Sequence, residues 1–158
     1  MGSAAVTNPS KARGTRWESA ICAFLNGALD YSHPADWRLV KRAAQTGARD
    51  VGDIHCWPFI LEAKDVKSPS VPAWLRQADT EATNAGFPYG VVVHKTRGKG
   101  PALARVHIDR EFMNKLIAGH DLSGCPVPVP NPRGYYTWTL AEFAEVLRVV
   151  RSQIPPPQ

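Results

Sequence analysis

Cysteine is scarce: Cys22, Cys56 and Cys125 are the only three in 158 residues, and no two of them form a C-x-x-C pair. That spacing argues against both a disulfide framework and a zinc ribbon, and it fits a reducing, intracellular setting. No apolar run approaches the length of a membrane span, and the N-terminus lacks the apolar stretch of a signal peptide. A cytoplasmic protein with no membrane partner is therefore expected. Internal repeats are also missing, as is any shift in composition that would mark a second domain.

What is present is enough apolar material for one substantial core. Hydrophobic residues make up 44% of the chain and charged residues 21%, and this length favours a single domain. The formal charge of +5 and the pI near 9.3 point weakly toward a polyanionic partner. Residues 1–14 read as a flexible basic leader, residues 15–153 as the domain, and residues 154–158 as a disordered tail.

Apolar residues recur at helical spacing from Thr15 to Leu29. "WRLVKRAA" alternates as a strand would. "DVGDIHC" and "FILEAKDV" predict two further strands, joined by a tight turn at Trp57-Pro58, since Pro58 cannot donate within a ladder. In the next segment Pro72 suits the first turn of a helix and Gly86 its stop. "YGVVVHK" and "ALARVHI" predict strands. Asp109 caps a helix carrying Phe112, Met113, Leu116 and Ile117. Residues 119–134 read as a Pro-rich surface loop and "YYTW" as a short strand. Thr139 and Glu142 then form a capping box for a last helix that buries Leu140, Phe143, Val146, Leu147 and Val150. The expected order is α-β-β-β-α-β-β-α-β-α, an α/β arrangement with helices packed on a mixed sheet.

One mostly apolar segment, "GARDVGDIHCWPFILEAKDVK", carries charges where a core should exclude them. Side chains alternate across a strand, so Glu62 and Lys64 share one face while Leu61 and Ala63 share the other. A turn centred on Trp57 brings Asp53 back beside Glu62. Two carboxylates and an ammonium then converge, which is what phosphodiester hydrolysis needs. Hard oxygen ligands from Asp53 and Glu62 suit Mg²⁺, and Lys64 suits orienting water or neutralising charge in the transition state.

"VGDI" followed by "LEAK" resembles the PD-(D/E)xK nuclease signature, with Gly52 where the family often has proline. A helix bearing Glu18 before the hairpin and one bearing Gln77 after it resemble archaeal-type Holliday junction resolvases. "GDI…FILEAK…WLRQA…NAG…YGVVVHKTRGKG" is similar to resolvase-like nucleases of actinobacteriophages, over roughly residues 13 to 100. The resemblance implies a restriction-endonuclease-like fold with an αβββαβ core. It implies Asp53, Glu62 and the Ala63 main-chain carbonyl as metal ligands, Lys64 as the catalytic lysine, and Glu18 and Gln77 as further site residues. Mg²⁺ is the implied cofactor, with Mn²⁺ able to substitute. A homodimer cutting branched DNA symmetrically is the implied assembly, in the host cytoplasm if phage-encoded. Two alternatives remain: a flap, end or duplex-specific nuclease of the same fold, and an inactive DNA-binding module.

Competing assignments sit close by. Asp50 and Asp65 fall on the opposite strand parity from the site, and His55 reads as structural. Lys11, Arg13 and Arg16, together with Lys95, Arg97 and Lys99, flank glycines in "KARGTR" and "KTRGKG", where backbone can approach phosphates, and are expected to bind DNA. Arg38, Lys41, Arg42 and Arg49 read as a solvated face. Trp37, Trp74 and Trp138 read as core or interface residues rather than base-stacking platforms.

Overall fold

The computed structural model describes residues 8–44 and 52–158. Its elements are α1 (Pro9–Leu29), β1 (Lys41–Arg42), β2 (Ile54–Cys56), β3 (Phe59–Lys64), α2 (Val71–Ala85), β4 (Tyr89–His94), β5 (Arg105–Asp109), α3 (Arg110–Gly119), β6 (Val129–Asn131), β7 (Tyr135–Thr139) and α4 (Leu140–Arg151). The described strands form one mixed sheet in the order β1-β2-β3-β4-β5-β7-β6, in which β3 and β4 pair in parallel and the other described pairs are antiparallel. That is the α/β arrangement expected from the sequence.

Helix α1 begins six residues ahead of the predicted Thr15, because Asn8 accepts the Ser10 amide at 3.0 Å and Pro9 fits the first turn. Lys11 and Arg13, expected in a flexible leader, are therefore helical. Trp17, Ile21, Leu25 and Leu29 form the buried stripe of α1 at four-residue intervals. They join Phe59, Leu61, Val91, Val93 and Phe143 in the main core, to which α3 and α4 also contribute. The opposite face of the sheet is covered by α2, through Val71, Trp74, Leu75 and Ala78 against Val92. Trp74 and Trp138 are thus core residues.

Two expectations fail locally. The strand predicted at residues 37–44 shrinks to Lys41–Arg42. The Asn26 side chain donates to the Val40 carbonyl at 2.9 Å and accepts its amide at 2.8 Å, so it replaces the ladder there. The Pro-rich segment read as a loop contains β6, which pairs with β7. Pro130 is tolerated because β6 is an edge strand. Ile117 on α3 is 56% exposed. All three cysteines are free. No helix among the described residues is long and apolar enough to cross a membrane.

A buried histidine makes stability sensitive to pH. His107 on β5 is 4% exposed, and its Nδ1 lies 2.8 Å from the Thr137 hydroxyl while Nε2 has no hydrogen-bond partner. Burial, then His94 and Arg105, lower its pKa to about 4. A folded-state pKa below the unfolded value means the unfolded chain takes the proton first. The stabilising contribution is complete above about pH 6.5 and is lost as pH falls toward 4, up to about 3 kcal/mol. Urea unfolding at pH 7 and pH 4.5 should show that loss, and His107→Gln should flatten it. An unchanged pH dependence in the variant would remove His107 as the cause.

Candidate active site

The site is built on the β2–β3 hairpin, where Ile54 pairs with Leu61, His55 with Ile60 and Cys56 with Phe59 across the cis Trp57-Pro58 turn. Continuing that register by one residue sets Asp53 opposite Glu62. Asp53 marks the point where the strands part. Its carbonyl accepts the Ala43 amide at 2.9 Å, and its Oδ2 accepts the Ala63 amide at 2.8 Å. The carboxylate thus continues the ladder toward β3 after the main chain has turned to β1. Gly52 precedes it at φ +87°, and an added Cβ would overlap Ile60. Proline, with φ fixed near −65°, cannot adopt that conformation, so position 52 excludes it.

Strand alternation does the rest. Leu61 and Ala63 pack with the main core, while Glu62 and Lys64 turn toward α2. Gln77 of α2 bridges the pair, donating from Nε2 to Glu62 Oε1 at 3.2 Å and accepting from Lys64 Nζ at 3.1 Å. Lys64 also ion-pairs with Glu62 at 3.3 Å and lies over the Trp74 ring at 5.9 Å. Glu18 reaches the same place from α1 and contacts Arg42 at 3.8 Å. A cavity of about 400 Å³ opens between these elements, with Glu18, Asp53, Glu62 and Gln77 in its wall beside Lys11 and Arg42. Asp53, Glu62, Lys64, Glu18 and Gln77, all named from the sequence, therefore come together.

Burial and crowding raise the carboxylate pKa values here. Burial, a hydrogen bond with Glu81 and the nearby Asp53 push Glu62 well above the ordinary carboxylate range, and Lys64 offsets only part of this. Glu18 is raised by burial and then by Asp53, against the lowering effect of Arg42. A fourth carboxyl-bearing neighbour, Glu81, is 1% exposed and follows Gln77 by one helical turn. Neither Glu81 nor Arg42 was singled out from the sequence. Glu81 stands four residues after Gln77 on one helix face, the single local signal for it. Arg42 is exposed, as a solvated face requires, and also lines the cavity.

The donor set is hard oxygen, the type that Mg²⁺ takes, and its members destabilise one another's charge as a divalent cation would relieve. As the side chains stand, no three His, Cys, Asp or Glu groups among the described residues converge closely enough to hold an ion.

The remaining residues separate cleanly. Asp50 and Arg49 lie outside the described residues. His55 stacks on Phe87 at 5.0 Å. His94 sits 3.1 Å from the Val66 carbonyl and packs on Trp74. Of the cations expected to bind DNA, Lys11 lines the acidic cavity, and Arg13, Arg16, Lys95 and Lys99 line a second one. Arg97 pairs with Asp65 at 3.3 Å. Comparison with family models, curated proteins and solved structures returns no match for this chain.

Proposed function

We propose that this protein is a divalent-metal-dependent DNA endonuclease that hydrolyses phosphodiester bonds in branched DNA as a Holliday junction resolvase. The observation that carries the hydrolytic reading is the meeting of Asp53 and Glu62 at one cavity, with Asp53 bound to the Ala63 amide, Lys64 ion-paired to Glu62 and Gln77 bridging the two. The choice of branched DNA comes from the sequence resemblance. Asp53 and Glu62, with the Ala63 carbonyl and Glu18, are the groups that would hold Mg²⁺ or Mn²⁺. When bound, the ion lowers the pKa of a water and stabilises negative charge on phosphorus-bound oxygen.

The chain's own side chains supply the rest. Glu62 must give up its proton to act as a ligand, and Lys64 beside it favours that ionised form. Lys64 is fixed by Gln77 and by Glu62, so its ammonium is aimed without further ordering. From there it orients the attacking water or neutralises charge as it develops on the phosphate. Two symmetric cuts across a junction call for a two-fold homodimer.

A substrate panel in Mg²⁺ tests the proposal. A four-way junction should be nicked at least tenfold faster than a linear duplex of the same sequence. Equal rates on the duplex would overturn the resolvase assignment, and faster cutting of a flap would move the activity to that substrate. Absence of nicking on all three would reject the nuclease.

A further inference from the structure

On the other side of the first turns of α1 lies a second cavity, of about 420 Å³, lined by Arg13, Arg16, Lys95 and Lys99 over the Trp17 ring. Helical spacing separates the two. Lys11, Gly14, Thr15 and Glu18 look into the acidic cavity, whereas Arg13, Arg16, Trp17 and Ala20 look into the basic one. Strand alternation separates them again, because Lys64 belongs to the acidic site and its neighbour Asp65 to the basic one.

Asp65 is the unusual residue. Its side chain is 4% exposed, and Arg97, Arg13 and Lys95 stand at 3.3, 3.8 and 3.9 Å from its oxygens. Neither oxygen takes a hydrogen bond of good geometry, so the contacts are ion pairs whose cations keep donors free for something else. One carboxylate needs one cation. Three, each between 37% and 50% exposed, leave excess positive charge facing solvent, with Arg16 and Lys99 adding to it. A buried anion at the centre offsets the repulsion that would otherwise spread these side chains.

We infer that this basic cavity is a phosphate subsite for the backbone of the nucleic-acid strand whose scissile phosphate enters the acidic cavity, and that Asp65 is the positioning residue that gathers its cations. The inference rests on the nuclease reading for the identity of the polyanion. The strand crosses α1, whose width of roughly 10 Å corresponds to about three base steps at 3.4 Å per strand. Contacts of this kind hold register without reading sequence.

Binding of a fluorescein-labelled four-way junction, followed by anisotropy in chelator across a salt series, tests this without any cleavage. Each lost phosphate contact removes about 0.9 from the slope of log affinity against log salt. Arg13→Gln with Lys95→Gln should lower the slope by about 2 and weaken binding roughly tenfold at physiological salt. The exposed Lys99→Gln, which leaves the Asp65 cluster intact, should lower it by about 1. Asp65→Asn raises the net charge by one, so charge alone predicts tighter binding; loss of positioning predicts weaker binding and a shallower slope. Unchanged slopes in the Lys99 and double variants would overturn the subsite, and tighter binding by Asp65→Asn would overturn the positioning role. Nicking assays decide the nuclease reading separately, since the binding assay contains no divalent ion.

Discussion

Replacing Lys64 by alanine should lower Mg²⁺-dependent nicking by about a thousandfold, and Asp53→Asn should do the same while making the folded protein more stable. Loss of a single preorganised charge at a reacting centre costs on the order of 10² to 10³ in rate. Lys64 is the group that favours ionised Glu62, so its removal also leaves that carboxylate protonated over a wider pH range. Asn at position 53 keeps an oxygen to accept the Ala63 amide, so the hairpin register survives. The substitution removes the charge that raises both Glu62 and Glu18, which should add about 1 kcal/mol of stability in the absence of metal. Thermal melting in chelator and single-turnover nicking in Mg²⁺ measure the two effects. Nicking that persists in both variants would place the chemistry elsewhere.

The second large effect is expected at a residue with no chemistry. Gly90 on β4 faces α2 so closely that an added Cβ would overlap the Ala78 carbonyl oxygen and lie 2.8 Å from its carbon. Backbone, unlike a side-chain tip, cannot swing aside. Gly90→Ala must therefore push α2 off the sheet, at a cost of about 2–3 kcal/mol for overpacking. For a chain of this size that is a drop in Tm of roughly 5–10 °C. Ala78 is adjacent to Gln77, so the same displacement loosens the bridge between Glu62 and Lys64. Nicking measured well below the variant's Tm should fall more than tenfold. A variant that melts normally, or that melts early yet nicks at the normal rate, would contradict the rigid coupling of α2 to the site.

Asp53, Glu62 and Lys64 were legible because a period of two and one proline turn are local facts, and the register follows from them. Glu18 and Gln77 came from a resemblance, since nothing within α1 or α2 singles them out from other polar helix residues. The surroundings of Arg42 and Asp65 were not legible because their neighbours are distant in the chain. Arg42 lines the cavity only because β1 pairs beside β2, and Asp65 gains its cations from α1 and from the segment after β4. The lost strand at residues 37–44 has a similar origin, since an asparagine fourteen residues earlier captures the Val40 backbone. Prolines hid β6, because the rule that bars them from ladders relaxes at an edge.

Those margins of the sheet carry a further consequence. Among the described residues one border strand has two residues, and the other has three with Pro130 in the middle, so neither of these segments offers a run of unpaired amides long enough to recruit a foreign strand. Growth of the sheet into a continuous ribbon is thereby disfavoured at both of these segments, and the chain should resist fibril formation even when concentrated.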